Sequence, residues 1–262
     1  MSAEFEVLAL RYGTVRTTRG DLFYRHHAYG EGDGPIEMDF FFWLLRDGVQ
    51  NVLVDSGFRP AVGLRRARTC LVEPVDALRR VGVEPGEISK IVVSHLHYDH
   101  VGNLASFPEA TIVVQRRELD FWTGPQARHF QFAQVIEDDE IDYFAKAAAQ
   151  GRLQVVDGDT ELQPGLGLRL VGGHCPGQQI VLVEGPERPI VLASDALHLY
   201  EEMDKDRPFA LFSDLAEMYR AYETLRELER GGAAVVAGHD PGVMQRFEPL
   251  GGSAAAFAVR IT

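Results

Sequence analysis

The chain has 262 residues, with 45% hydrophobic and 25% charged side chains, enough apolar material for one large or two small globular domains. Its formal net charge of −13 argues against a nucleic-acid surface, which needs a basic face, and against docking on anionic lipid. No apolar run reaches the length of a membrane span, no signal peptide is apparent, and Cys70 and Cys175 make no disulfide framework, so a cytoplasmic protein is expected.

Phe5 to Leu10 alternates as an opening strand, and Thr17 to Pro35 reads as a Gly- and Asp-rich loop carrying Phe23, Tyr24, His26, His27 and Tyr29. Met38 to Arg46 and Asn51 to Asp55 form two strands across a turn at Gly48. Asp55-Ser56-Gly57 then ends a strand where a carboxylate could back a metal ligand or simply cap a turn. Val75, Leu78 and Val81 predict a helix over Pro74–Val81, followed by a strand over Ile88–Val93. Gly102 to Phe107 reads as a short helix, Thr111 to Val114 as a strand and Arg116 to Trp122 as a helix. Residues 124–150 read as a helical insertion within a single domain spanning 1–262. Arg152–Val156, Leu166–Val171, Gln179–Val183 and Pro189–Ser194 are successive strands. Leu215, Met218, Tyr219, Tyr222, Leu225 and Leu228 trace one face of a long helix, and Ala233–Ala237 is a last buried strand. The two tyrosines of that helix read as core. The tail Ala254–Ile261 suits an edge strand or a helix end.

The chemistry concentrates in Ser94-His95-Leu96-His97-Tyr98-Asp99-His100, directly after Ile91-Val92-Val93. Imidazole and carboxylate are good ligands for zinc-like cations, and unpaired polar groups crowded without a partner are costly. His174, Asp195 and His239 each follow an apolar run beside small residues, as expected where a rigid sheet presents side chains at one edge. Five histidines and two aspartates suit two divalent ions better than one. They divide as His95, His97 and His174 on one ion and Asp99, His100 and His239 on the other, with Asp195 bridging. Zinc is the default, with iron, manganese or cobalt as alternatives.

His95-x-His97-x-Asp99-His100, followed by His174, Asp195 and His239, resembles the metallo-β-lactamase superfamily over nearly the whole chain. The resemblance implies an α/β fold, a four-layer αβ/βα sandwich of two mixed sheets flanked by helices, with the metals at one edge. The bridging Asp195 resembles the hydrolase branches rather than β-lactamases with a cysteine ligand, so Cys175 is expected to be a small buried residue. The length, the single long helix between Asp195 and His239, and Gly238-His239-Asp240 are most similar to the N-acyl homoserine lactone lactonases. That group commonly has a tyrosine three residues after the bridging aspartate; here the position is His198, with Tyr200 two further on.

The resemblance implies a lactonase opening a cyclic ester by attack of a metal-bridging hydroxide, Asp99 shuttling the proton and His198 or Tyr200 assisting at the carbonyl. The alternatives are hydrolysis of another ester, a β-lactam or a phosphodiester, and a catalytically inactive metal-binding protein. The expected partner is a small-molecule substrate, and an aromatic insertion could pack in a homodimer. Phe121, Trp122, Phe130, Phe132, Phe209 and Phe212, with Phe23 and Tyr24 opposite, are candidates to line an apolar pocket.

Overall fold

The computed structural model describes residues 4–261, so the ends of the 1–262 span lie outside it. Its strands are β1 (Glu6–Thr18), β2 (Pro35–Arg46), β3 (Asn51–Val54), β4 (Thr69–Cys70), β5 (Ile88–Val92), β6 (Thr111–Gln115), β7 (Leu153–Val156), β8 (Thr160–Gln163), β9 (Leu166–Leu170), β10 (Gln179–Glu184), β11 (Pro189–Ser194), β12 (Ala234–Ala237), β13 (Glu248–Pro249) and β14 (Ala258–Arg260). They form two mixed sheets. The first runs β13-β14-β1-β2-β3-β5-β6-β7, with β4 also on β1, and the second runs β12-β11-β10-β9-β8.

Strand alternation explains the layering. Val7 and Ala9 of β1 and Phe41, Trp43 and Leu45 of β2 face the second sheet, packing with Leu168, Val181 and Leu192. The intervening Leu8, Leu10, Phe42 and Leu44 face the other way, onto Ala77 and Leu78 of the helix Pro74–Arg80 and Phe144 of the helix Asp138–Ala149. A strand buried on both faces reads as a continuous apolar run, which is what Phe40–Leu45 is. On the far side of the second sheet, Met218, Ala221, Tyr222 and Leu225 of the helix Leu215–Arg230 close the fourth layer. Asp214 caps that helix, accepting from the Glu217 N–H at 2.8 Å.

The segment 124–150 is mostly helical. Asp138–Ala149 serves as the crossover between β6 and the parallel β7, burying Ile141, Phe144 and Ala147, while the shorter turns before it reach the cleft through Gln134 and Val135. The expected helix at Gly102–Phe107 begins earlier: the histidine motif itself enters a helical turn at Tyr98–Val101, and only Leu104–Ser106 follows as a 3-10 turn. The C-terminal strand is internal, not an edge, because β13 pairs with β14 on one side and β1 on the other. No helix among the described residues is long and apolar enough to cross a membrane.

Candidate metal centre

β10 is antiparallel to both β9 and β11, and β12 is parallel to β11, so β9, β11 and β12 all point the same way. Their C-terminal ends share one edge, and His174, Asp195 and His239 follow those ends. In the first sheet β3 and β5 are parallel, which brings Asp55 and the histidine motif to the facing edge. Asp55 (φ 63°) and Ser194 (φ 45°) both adopt the left-handed backbone region there. Serine rarely adopts it, and such strain gathers where surrounding structure over-determines a site.

The seven predicted ligands converge. Asp195 Oδ1 lies 3.3 Å from His100 Nε2 and 3.1 Å from His239 Nε2. Its Oδ2 lies 3.3 Å from His174 Nε2 and 3.7 Å from His95 Nε2. His97 presents Nδ1, 3.0 Å from His174 Nε2. Asp99 Oδ2 stands 3.8 Å from His100 Nε2 and 3.9 Å from His239 Nε2. Each of these residues is less than a tenth exposed.

Outer hydrogen bonds set the tautomers. His174 Nδ1–H donates to Leu211 O at 2.9 Å and His239 Nδ1–H to Asp39 O at 2.8 Å, since a carbonyl can only accept. His100 Nδ1–H donates to Asp55 Oδ2 at 2.7 Å. Asp55 also accepts from the Ser94 N–H and Ser94 Oγ, both at 2.8 Å. Metal-binding histidines characteristically donate their outer N–H this way, leaving the inner nitrogen a lone pair. His97 points its Nε2 at the buried Cys175 Sγ, 3.1 Å away, and that sulfur lies within 4.8 Å of a ring nitrogen of His95, His97 and His174.

Divalent cations fit this donor set. His95 Nε2, His100 Nε2 and Asp195 Oδ1 are buried without a hydrogen-bond partner. Five carboxylates, Asp55, Asp99, Glu118, Asp195 and Glu202, are buried in and around the cluster, and none pairs with lysine or arginine among the described residues. Buried anions without compensation are expensive, and two divalent ions would offset most of that charge. Burial and neighbouring imidazoles push His95 and His97 well below the usual histidine range, and His174 to about 3. Burial works against protonation of His100 too, but Asp195, Asp55 and Asp99 outweigh it and raise that group. Neutral imidazole is the ligand form.

Glu118 went unnoticed in the sequence. Its buried carboxylate accepts from the Leu96 N–H (2.9 Å), the Gly177 N–H (2.7 Å) and Trp122 Nε1 (2.6 Å), tying the His95–His97 turn to the loop after His174. Of the two residues expected to assist catalysis, His198 lies in the cluster, its Nε2 3.1 Å from Asp195 Oδ2. Tyr200 does not: its hydroxyl donates to Val235 O at 3.3 Å, and its ring packs into the core.

A cleft of about 320 Å³ opens over Asp99, Asp195 and His239. Val15, Leu22, Met38, Phe40, Phe209 and Leu211 give it apolar lining, and Arg66, Arg68 and Tyr98 line it as well. Of the aromatics expected there, only Phe209 lines it. Trp122 backs His97 with ring centroids 5.3 Å apart, Phe121 and Phe132 pack on Trp122, Phe212 meets Tyr24, and Phe130 is 76% exposed. Phe23 is buried in a small cluster with Leu22 and Met38.

The metallo-beta-lactamase superfamily model matches residues 41–239, from β2 to the last of the seven converging residues. The chain belongs to the metallo-beta-lactamase superfamily. Among curated members it is 30% identical over 195 residues to the N-acyl homoserine lactonase AttM of Azorhizobium caulinodans, covering 68% of each chain. It is 34% identical over 145 residues to an N-acyl homoserine lactonase of a Bacillus species, covering 54% of this chain and 52% of the relative. Metallo-beta-lactamase folds that superpose on it include a quorum-quenching N-acyl homoserine lactone lactonase, with a TM-score of 0.75, 22% identity, and 92% and 94% of the two chains covered. A probable metal-dependent hydrolase from Staphylococcus aureus superposes at 0.77 and 17% identity, over 100% and 94%.

Proposed function

We propose that the protein is a dinuclear metal-dependent hydrolase that opens the ring of a lactone, an N-acyl homoserine lactone or a related cyclic ester. The observation that carries two ions rather than one is Asp195: its two oxygens face different histidines, His100 and His239 on one side and His95 and His174 on the other. His95, His97 and His174 would hold one cation, Asp99, His100 and His239 the other, with zinc favoured by the nitrogen-rich set. Bound there, two such cations supply Lewis acidity and lower the pKa of water toward neutrality. The lactone substrate is supported by the relatives, whose alignment spans only part of their length, and by the cleft.

The chain's own groups divide the remaining work. Asp99 is buried on one side and lines the cleft on the other, and its backbone carbonyl is held by Tyr12 Oη at 2.7 Å. It is placed to accept a proton from the attacking water and return it to the leaving alkoxide as the ring opens. The apolar wall from Val15 to Leu211 excludes water from an acyl chain. Arg68, whose Nε donates to Tyr98 Oη at 3.1 Å, lines the same cleft and offers polar contact.

The test is hydrolysis by metal-quantified protein across acyl homoserine lactones, simple γ- and δ-lactones, aryl esters, a β-lactam and a phosphodiester. Highest kcat/KM among the lactones is the expected result. A best substrate outside them would move the reading to another ester or phosphoester on the same scaffold.

A further inference from the structure

His198 is held as a metal ligand is held. It is 1% exposed and follows Asp195 by one short turn, ahead of the helix Tyr200–Lys205. Its Nδ1 meets the Glu202 carboxylate at 3.4 Å. Glu202 is itself completely buried and fixed from two further directions, by Tyr222 Oη–H at 2.7 Å and by the Leu199 N–H at 2.8 Å. Phe209 lies flat against the imidazole, with centroids 3.7 Å apart and planes 12° from parallel. Ring tilt and ring rotation are both fixed.

What that leaves exposed to the cluster is Nε2. It sits 3.1 Å from Asp195 Oδ2, yet the pair is not aligned as a hydrogen bond and Nε2 has no partner of its own. The same combination of short separation and missing alignment marks His95 Nε2 and His100 Nε2 against Asp195. Donor atoms each about 2.1 Å from a shared ion, at 90–120° to one another, stand roughly 3.0–3.6 Å apart. Oδ2 has His174 Nε2 at 3.3 Å and His198 Nε2 at 3.1 Å, so both nitrogens sit on one side of the bridge.

We infer that His198 Nε2 is an additional ligand of the cation held by His95, His97 and His174, with Glu202 and Tyr222 the buried pair that sets its tautomer and aim. A neutral imidazole whose Nδ1–H goes to Glu202 offers a lone pair, not a donor, at Nε2. The position three residues after the bridging aspartate is therefore occupied with the metal rather than with polarising a substrate carbonyl. Glu202 and Tyr222 act through His198 and are positioning residues. The inference needs the two-cation centre but not the lactonase reading, and it holds whichever bond is cleaved.

Cobalt(II) tests it in the unaltered protein. Loaded with two cobalt ions per chain, the protein should show six strongly shifted, exchangeable imidazole N–H resonances in proton NMR, one each from His95, His97, His100, His174, His198 and His239. Five such signals with two cobalt ions bound would overturn the inference while leaving the centre intact; fewer than two bound ions would overturn both. Two variants give a second readout, once circular dichroism shows them folded. H198F should bind zinc about 10- to 100-fold more weakly in competition with a chelator, and the cobalt absorption per ion should rise as the coordination number falls. E202Q should weaken zinc less than H198F does. Zinc affinity and a cobalt spectrum unchanged in H198F would assign His198 to the substrate side instead.

Discussion

Asp99 and Asp55 show how one side-chain type takes two tasks from its surroundings. Asp99 reaches the cleft, so D99N should retain two zinc ions by elemental analysis and lose at least about 100-fold in kcat, the scale of a proton-transfer catalyst. Turnover within a few-fold of the parent would remove its shuttle role. Asp55 is fully buried and never meets the cleft; it holds His100 and Ser94. D55N should therefore weaken the cation on the His100 side by about 10- to 100-fold in chelator competition, with a smaller effect on the turnover of fully loaded enzyme. The seven converging residues were legible in the sequence because histidine and aspartate crowd at the ends of apolar runs. Glu118, Glu202 and Tyr222 were not. Glu118 meets Leu96 and Gly177 only through the fold, and Tyr222 sits at a regular apolar position of its helix, where its ring reads as core and its hydroxyl is silent.

At the scale of elements, the loop after β9 depends on glycine. Gly173 has φ +88°, and a Cβ there would stand 2.6 Å from the backbone nitrogen of Met218. A Cβ on Gly177 would stand 2.2 Å from the backbone nitrogen of Glu118. His174 is thus clamped between two helices by close backbone approach. G177A should lower unfolding free energy in urea by about 1–3 kcal/mol and loosen the His174 ligand along with it. Strands with strong apolar runs, such as β2 and β12, were readable, as were the helices Arg116–Trp122 and Leu215–Arg230. β8 was missed because Thr160–Gln163 has a single aliphatic residue and stays half-exposed. The crossover helix starts at Asp138, earlier than its apolar residues suggest, because Asp138, Asp139 and Glu140 favour the positive end of the helix dipole.

Across the whole molecule, Glu140 joins that crossover helix to Arg59, 3.0 Å from Oε1, while its other oxygen is buried without a partner. Burial raises its carboxyl to about 8 against the pull of Arg59. A carboxyl raised on folding takes up a proton as the chain folds. Its contribution is thus fully present below the unfolded value near 4.5 and is lost as pH rises through about 8. E140Q keeps an acceptor for Arg59 and has no proton to lose. Between pH 5 and pH 9 the parent should lose on the order of 1–3 kcal/mol more than E140Q in denaturant titrations; parallel pH profiles would show that Glu140 does not titrate. The four-layer sandwich was legible only through the family resemblance carried by the histidine motif; which strand ends meet depends on direction of pairing, and that no local pattern encodes.

The two sheets face each other across the cluster, Ser94 Oγ of one accepting from Ser194 Oγ of the other at 2.8 Å, and the converging side chains come from both. A pair of cations at that seam, as proposed above, would act as a cross-link that can be withdrawn and replaced. Its strength is then set by mass action: each tenfold rise in free cation above the dissociation constant adds about 1.4 kcal/mol per site. Melting midpoints should fall on chelation, return on adding zinc, and keep climbing with the logarithm of free zinc after turnover has saturated. The protein would in that sense report the metal status of its surroundings through its own persistence, not only through its rate.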